Sequence, residues 1–306
     1  MRGRVRMTTN LTTPISKKLL FAMLIVTIGA EVLLYLSRYS YLASTLYDAM
    51  MVSSFFIGWK LNRRLTNSEI HPKTKRQRAL QFTGAFLIFY IGSTVINIYS
   101  TNSFQDFSVN YDQYVEDYTQ TQMVDVAAPD KGAKAEPTSS FFEKVDSLGT
   151  DLYTDSLAGL EEVWRLAYII LILVVLKKTF PRSWESGRRD LFLMLALFLT
   201  SILFGIDHTL DTVQPWSIRI GAIVTFANMG LVFGLILLWT RSLWIAVLVH
   251  SFYDITATLS WYYLDYAVEL VALVAVLVHT LLFTLEKLKP KHLEQPEITE
   301  VTQAAD

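Results

Sequence analysis

The sequence predicts an all-α protein, a polytopic bundle of about eight transmembrane helices with both termini in the cytoplasm. Three observations predict this class: the composition, the length of the apolar segments and the positions of the basic residues. Of the 306 residues, 52% are hydrophobic and only 18% are charged, whereas about 25% of the residues in a soluble domain are charged. The charged residues lie in blocks, and the segments between these blocks have roughly the 20 residues that cross a bilayer.

Eight apolar segments have the length of a membrane-spanning helix. Helices are expected because lipid offers no partner to an unpaired backbone group, and the segments lack the period-2 alternation of barrel strands. The first segment is longer than the apolar core of a signal peptide, so we interpret it as a retained helix. The predicted spans cover residues 19–36, 41–59, 79–99, 159–176, 191–206, 218–239, 243–259 and 266–285.

The basic residues indicate the orientation. They gather at the N terminus, in the connections after the second and fourth spans, and after the last span. Eight spans place all of these clusters on one side, which the positive-inside rule makes cytoplasmic. The predicted organisation is a basic leader at 1–18, three helices over 19–99, an extracytoplasmic acidic loop at 100–158, a helical core at 159–285 and a cytoplasmic polar tail at 286–306.

The long connection at residues 100–158 is acidic, and its sequence changes character along its length. Residues 127–140 contain two prolines and many small residues, so a flexible linker is predicted there. Residues 141–157 fit either an amphipathic helix lying at the membrane interface or an ordinary solvated loop. Residues 290–306 are polar and are expected to be disordered.

The composition also excludes some classes of function. The chain has no cysteine, which removes disulfides, thiolate nucleophiles and cysteine-based metal sites. Its formal net charge of -1 gives no indication of a nucleic-acid partner. The lipid bilayer is therefore the first partner that the sequence predicts.

Ionisable residues inside the predicted spans are the candidate functional residues, because a charge in a bilayer is costly and usually serves a function. Glu161, Glu162 and Arg165 open the fourth span, and the four-residue spacing of Glu161 and Arg165 allows an ion pair. An ordinary acidic helix N terminus with a structural ion pair explains these residues equally well.

Two histidines occur in the later spans. His208 ends the fifth span and fits an interfacial histidine as well as a functional one. His250 and Asp254 share one face of the seventh span, where a histidine with a carboxylate one turn away favours a functional role. The other intramembrane groups are isolated or near span ends, so structural roles are expected for Glu31, Asp48, Glu269 and His279.

A glutamate and two histidines can activate a water molecule and hold an oxyanion, which is the chemistry of peptide hydrolysis. Histidine and carboxylate ligands with an open position would also suit Zn2+ as a water activator. Other intramembrane hydrolase patterns are absent from the sequence: it has no His-Glu-x-x-His, no Gly-x-Ser and no Gly-x-Gly-Asp.

These polar segments, in this order, resemble the CPBP family of intramembrane proteases, which includes CAAX-processing endopeptidases and bacteriocin-processing or self-immunity proteins. The family signature is Glu-Glu-x-x-x-Arg, then Phe-x-x-x-His, then His-x-x-x-Asn or Asp. Phe204 and His208 fit the second motif, and His250 and Asp254 fit the third. The first motif, at residues 161–165, is one residue short, but Glu161 occupies a motif position in either alignment.

The resemblance implies an intramembrane endopeptidase that cleaves a membrane-associated peptide or protein and resides in a bacterial inner (plasma) membrane. Glu161, with Glu162, would activate water together with His208, while Arg165 would hold the acidic pair and Phe204 would support the site. His208, His250 and Asp254 would bind Zn2+, or His250 and Asp254 would stabilise the oxyanion in a metal-free reaction. The short first motif leaves an inactive scaffold or regulator as the alternative function.

The depth of the three segments sets a condition on a common site. At a helical rise of about 1.5 Å per residue, Glu161 lies roughly 24 Å and His208 roughly 28 Å from the basic ends of their helices, whereas His250 lies only about 13 Å away. The segments meet only if the helices tilt or their cytoplasmic ends lie at different heights. A transporter, the third candidate function, ranks last because no repeat halves occur.

Overall fold

The computed structural model describes residues 2–66, 73–111, 141–210 and 214–288, and within these ranges all the regular structure is helical. The second helix includes a π-helical stretch at Ile25–Gly29. The helices are α1 (Arg2–Leu11), α2 (Lys17–Ser37), α3 (Tyr41–Thr66), α4 (Lys75–Ser103), α5 (Gln105–Val109), α6 (Phe141–Ala158), α7 (Glu161–Thr179), α8 (Pro181–Glu185), α9 (Arg189–Asp207), α10 (Trp216–Thr240), α11 (Leu243–Tyr262) and α12 (Ala267–Lys287).

The all-α fold class is confirmed, and six of the described helices are long and apolar enough to cross a membrane: α2, α4, α9, α10, α11 and α12. The other two predicted spans are also helices, α3 with 26 residues and α7 with 19. Both carry charged residues at their ends: α7 has glutamates in its first turn and lysines in its last, and α3 has arginines in its last turn. A total of eight spans and the cytoplasmic location of both termini stay predictions.

Basic residues from several helices lie together at one end of the bundle, around the end of α1. Arg64 of α3 donates hydrogen bonds to the carbonyl oxygens of Thr13, at 3.0 Å, and Pro14, at 3.1 Å. Lys177 at the end of α7 reaches the carbonyl oxygen of Thr12, and Arg189 at the start of α9 donates to the Thr9 hydroxyl at 3.0 Å. Basic clusters predicted to share one side of the membrane therefore share one end of the structure.

Helix α7 is at the centre of the bundle. It packs against α3, α9 and α11, and its apolar residues Leu166, Ile169, Ile170 and Leu173 are fully buried. Many apolar side chains of the surrounding helices face outwards instead, and only 6% of the apolar window of α12 is buried within the protein. Polar residues at the start of α7 are consequently inside the protein and not in contact with lipid.

Residues 141–158 form helix α6, the helical one of the two alternatives for this segment, and α6 packs along α11. Its location at the membrane interface stays a prediction. The Tyr263 hydroxyl donates to the Asp151 carboxylate at 2.7 Å, and the Ser251 hydroxyl donates to the Ser156 carbonyl at 2.9 Å. These contacts make α6 an antiparallel neighbour of the second half of α11. The predicted loop at 100–158 thus contains helical segments, and the predicted linker at 127–140 and disordered tail at 290–306 lie outside the described residues.

Candidate functional site

The three polar segments meet because α11 begins inside the bundle. The backbone N–H of Leu243, its first residue, donates to the Asn62 side chain of α3 at 2.9 Å, and Leu243 is fully buried. Gly58 of α3 lies against both Leu243 and Val163, so the start of α11 is level with the first turn of α7. A common site requires either tilted helices or helix ends at different heights, and the structure shows helix ends at different heights.

Arg165 and Glu162 form a buried ion pair in the first turn of α7. The guanidinium donates to the two Glu162 carboxylate oxygens from Nε at 2.8 Å and from Nη2 at 3.1 Å, and the side-chain exposures are 2% and 0%. The spacing of Glu161 and Arg165 allows an ion pair, but in the structure Arg165 pairs with Glu162. Glu162, three residues before Arg165, already accepts both forked N–H groups, which is the strong geometry for this pair.

The third guanidinium nitrogen of Arg165 contacts α10. Its Nη1 donates to the Gly230 carbonyl at 2.9 Å. A Cβ at position 230 would lie 2.9 Å from this nitrogen and also 2.9 Å from the Phe204 ring, so a glycine is needed for both side chains to approach α10. Arg165 is therefore held on three sides, and it holds Glu162 in turn.

His250 lies between two carboxylates. Its Nε2 is 3.3 Å from Asp254 Oδ2, across one helical turn, and its Nδ1 is 3.3 Å from Glu162 Oε1. The Nδ1 contact is electrostatic, because its geometry is not that of a hydrogen bond. The ring stacks on Phe233 with centroids 4.4 Å apart. With carboxylates on two sides, the imidazole can carry a proton on both nitrogens and act as a donor.

His208 follows the last turn of α9, and its ring orientation is fixed by two contacts. Nδ1 lies 2.8 Å from the Phe204 carbonyl oxygen, which can only accept, so Nδ1 carries the proton and Nε2 is the basic nitrogen of the neutral ring. The ring also stacks on Phe226, with centroids 4.2 Å apart. This is the tautomer that a general base or a proton-transfer group needs.

The Phe204 ring joins the two halves of the site. Its centroid is 4.4 Å from the His208 ring, 5.9 Å from the His250 ring and 4.3 Å from the Arg165 guanidinium carbon. A cation over an aromatic face at this distance is favourable. The predicted supporting residue thus contacts both histidines and lies against the arginine.

A small cavity of about 30 Å³ opens beside this cluster. Glu161 and His208 line it together with Arg165 and Phe204, whereas Glu162 does not. The two adjacent glutamates therefore have different environments: Glu162 is enclosed by its ion pair, and Glu161 faces the space that a water molecule or a substrate would enter.

Tyr168, Glu31 and Asp207 also line the cavity, and they were not predicted as site residues. The Tyr168 hydroxyl donates to Glu31 Oε1 at 3.2 Å. A signal for Tyr168 exists in the sequence, because positions 161, 165 and 168 follow one face of a helix. Glu31 belongs to α2, and no local pattern connects it with α7 or α9.

The predicted metal ligands do not converge. Within the described ranges, no group of three histidine or acidic side chains is arranged to hold a metal ion. Both nitrogens of His250 face carboxylates, and Nδ1 of His208 is hydrogen-bonded to a carbonyl oxygen. These residues do not fit a shared Zn2+ without rearrangement, so the metal stays a prediction and no chemical step is assigned to it.

His279, expected to be structural, is removed from the site. Its Nδ1 lies 2.8 Å from the Thr83 hydroxyl, a contact that joins α12 to α4. A histidine satisfied by one hydroxyl between two helices fits the expected packing role, and it offers a matched control for the site histidines.

Comparison with known proteins identifies the region that carries the site. The family model described as "Type II CAAX prenyl endopeptidase Rce1-like" matches residues 160–256. This range contains Glu161, Arg165, His208, His250 and Asp254, and it leaves out α2 with Glu31. Neither a curated protein nor a solved structure gives a significant match to the chain.

Proposed function

Residues 160–256 form a domain of the CPBP family of CAAX-type intramembrane proteases, and on that premise we propose that the chain is an intramembrane endopeptidase in which Glu161 and His208 activate the attacking water. The observation that carries the proposal is the shared cavity: Glu161 and His208 line one space from two different helices. Glu162, which is sequestered in an ion pair, is assigned a positioning role.

The proposed reaction is direct hydrolysis of a peptide bond. Water, oriented by Glu161 and by Nε2 of His208, attacks the carbonyl carbon while one of its protons passes to the Glu161 carboxylate. The C–N bond then breaks, and that proton is delivered to the leaving amine nitrogen. A positioned general base of this kind contributes about 10²–10⁴-fold to the rate.

The proposed role of His250 is to stabilise the oxyanion that forms in the first step. Neither His250 nor Asp254 lines the cavity, so this role requires the His250 ring to turn one N–H from its carboxylate towards the substrate. Asp254 and Glu162 lie 3.3 Å from its two nitrogens, and they orient the ring and favour its donor form. Arg165 acts through Glu162, and the Gly230 carbonyl fixes the guanidinium. Once the substrate is bound, a donor that is held in place needs no further reorganisation in the transition state, which makes it effective.

Zn2+ held by His208, His250 and Asp254 is the alternative way to activate water in this proposal. Binding would require the His250 ring to leave at least one of its two carboxylate contacts. A strong chelator distinguishes the two versions: the glutamate version predicts unchanged cleavage, and the zinc version predicts loss of cleavage and recovery on adding Zn2+.

The first motif also favours a second candidate, a non-catalytic scaffold or regulator on the same fold. Its acidic pair and arginine are one residue closer than in the family signature, and Arg165 contacts Glu162 alone of the pair. This candidate predicts a folded protein that cleaves no substrate.

The test is a cleavage assay with purified protein in lipid nanodiscs. Membrane-anchored fluorogenic peptides, with a prenylated-cysteine peptide among them, serve as reporters because the family description names a prenyl endopeptidase. We expect the wild type to cleave at least one reporter and His208→Gln to lose about 10²–10⁴-fold. His279→Gln, the matched control, should cleave like the wild type. A folded wild type that cleaves none of the reporters would favour the scaffold.

A further inference from the structure

We infer that Glu31, on the first membrane helix, selects substrates that place a cationic side chain, lysine or arginine, in the cavity next to the scissile bond. The inference rests on the proposed protease function and adds a substrate class to it. One wall of the cavity is formed by residues outside the range that the family model matches. These residues are Ala30, Glu31 and Leu34 of α2 and Tyr47 of α3.

Acidic residues outnumber basic residues in the lining of the cavity. The lining carries three carboxyl groups, from Glu31, Glu161 and Asp207, and one guanidinium, from Arg165. That guanidinium is already paired with Glu162, which lies outside the lining. A carboxylate in a poorly hydrated space is costly without a partner, and a cation that enters the space supplies one.

The position of Glu31 is fixed by its neighbours. The Tyr168 hydroxyl donates to Oε1 at 3.2 Å, and Asp207 lines the same cavity. Glu31 is partly exposed within the cavity rather than sealed in the core. A carboxyl group that is held in place and still accessible can receive a charged donor with little reorganisation.

Aromatic rings supply a second, independent sign of a cationic ligand. Tyr47 and Trp164 line the cavity beside Glu31, and their rings pack edge to face with centroids 5.7 Å apart. The Trp164 indole N–H donates to the Ser54 hydroxyl at 2.7 Å, which fixes the ring. Aromatic faces next to carboxylates attract ammonium and guanidinium groups.

A substrate cation explains this arrangement better than a metal ion. In the part of the chain that the structure describes, no three acidic or histidine side chains are grouped to coordinate a metal. An ammonium or guanidinium group needs only dispersed acceptors and ring faces, and its long apolar stem suits a cavity that also contains Ala30, Leu34 and Leu203.

The test uses sets of membrane-anchored fluorogenic peptides in which one residue, scanned through the positions flanking the cleaved bond, is lysine, glutamine or glutamate. At one position we expect wild-type kcat/KM to be about 10- to 100-fold higher for lysine than for glutamine, the range of one hydrogen bond to a charged group. Glu31→Gln should abolish that preference, Glu31→Asp should restore part of it, and Glu31→Lys should favour glutamate. Glu269→Gln, on the exposed start of α12, is the matched control and should keep the wild-type preference.

The outcomes separate the inference from the function on which it rests. Cleavage without a lysine preference, or a preference that Glu31→Gln retains, overturns the inference and leaves the protease intact. A preference that disappears when a chelator is added shows that the cavity holds a metal ion, and it also overturns the inference. If Glu31→Gln does not fold, Tyr168→Phe replaces it, and an unchanged lysine preference in that variant counts against the inference. A wild type that cleaves no peptide removes the protease and the inference together.

Discussion

The ion pair of Arg165 and Glu162 predicts a large loss of stability when one partner is removed. Arg165→Met leaves the Glu162 carboxylate, with 0% exposure, without its forked partner, and it leaves the Gly230 carbonyl without its donor. Removing one member of a buried pair costs about 3–5 kcal/mol because the other charge stays buried and unpaired. At roughly 2–4 °C for each kcal/mol in a chain of this size, the melting temperature should fall by about 10 °C.

The assay is thermal unfolding of the purified protein in one detergent, followed for single and double variants. Glu162→Gln with Arg165→Met removes both charges, so the double variant should recover more than half of the lost stability. Arg165→Lys should lie between the wild type and Arg165→Met, since lysine keeps the charge and loses the fork. Arg182→Met, at an exposed site, is the control. An Arg165→Met variant as stable as this control, or a double variant as unstable as the single one, would refute the reasoning.

Two further predictions concern α6. Gly159→Ala should destabilise the protein or displace α6, because a Cβ there would overlap the Ser251 hydroxyl and the Val247 carbonyl. Gly149→Ala is the control and should be tolerated, since a Cβ at that position meets open space. Equal melting temperatures of the two variants would contradict this packing. Burial and the nearby carboxylates of Asp254 and Asp151 raise the pKa of Asp155 to about 7. Since this pKa lies above the unfolded value of 3.8, the contribution to stability is complete below about pH 4 and is lost as pH rises through about 7. The protection factors of the α6 amides, which are exchange rates corrected for the base-catalysed rise of the intrinsic rate, should therefore be lower at pH 8 than at pH 6, and Asp155→Asn should remove that difference. Protection factors that do not change with pH in the wild type would contradict it.

Patterns within one helix were the most predictable part of the site. His250 and Asp254 share a face by their four-residue spacing, and in the structure their side chains lie 3.3 Å apart. The partner of Arg165 was not predictable in the same way. Spacing allowed a pair with Glu161, but the partner depends on which carboxylate accepts the forked N–H groups and on where the Gly230 carbonyl lies. Gly230 lies on α10, so the sequence of α7 contains no signal for the position of its carbonyl.

The wall of the cavity illustrates the limit of sequence reasoning. Glu31 is isolated in its own segment, which favours a structural role, and its partner Tyr168 is far away along the chain. Only the packing of α2 against α7 brings the two together. The depth at which α11 begins also depends on a contact between helices, because the Asn62 side chain of α3 caps Leu243 inside the bundle. Apolar segments predict which residues are helical, but side-chain contacts between helices decide their relative heights.

The division of labour between the two adjacent glutamates is the central claim, and matched substitutions test it most directly. Cleavage of a reporter and the melting temperature should be measured together for Glu161→Gln and Glu162→Gln. We predict that Glu161→Gln loses about 10²–10⁴-fold in kcat at a nearly unchanged melting temperature, because its carboxylate lines the cavity and makes no ion pair with Arg165. Glu162→Gln should lower the melting temperature as well as the activity. A Glu161→Gln variant that cleaves at the wild-type rate would contradict the account.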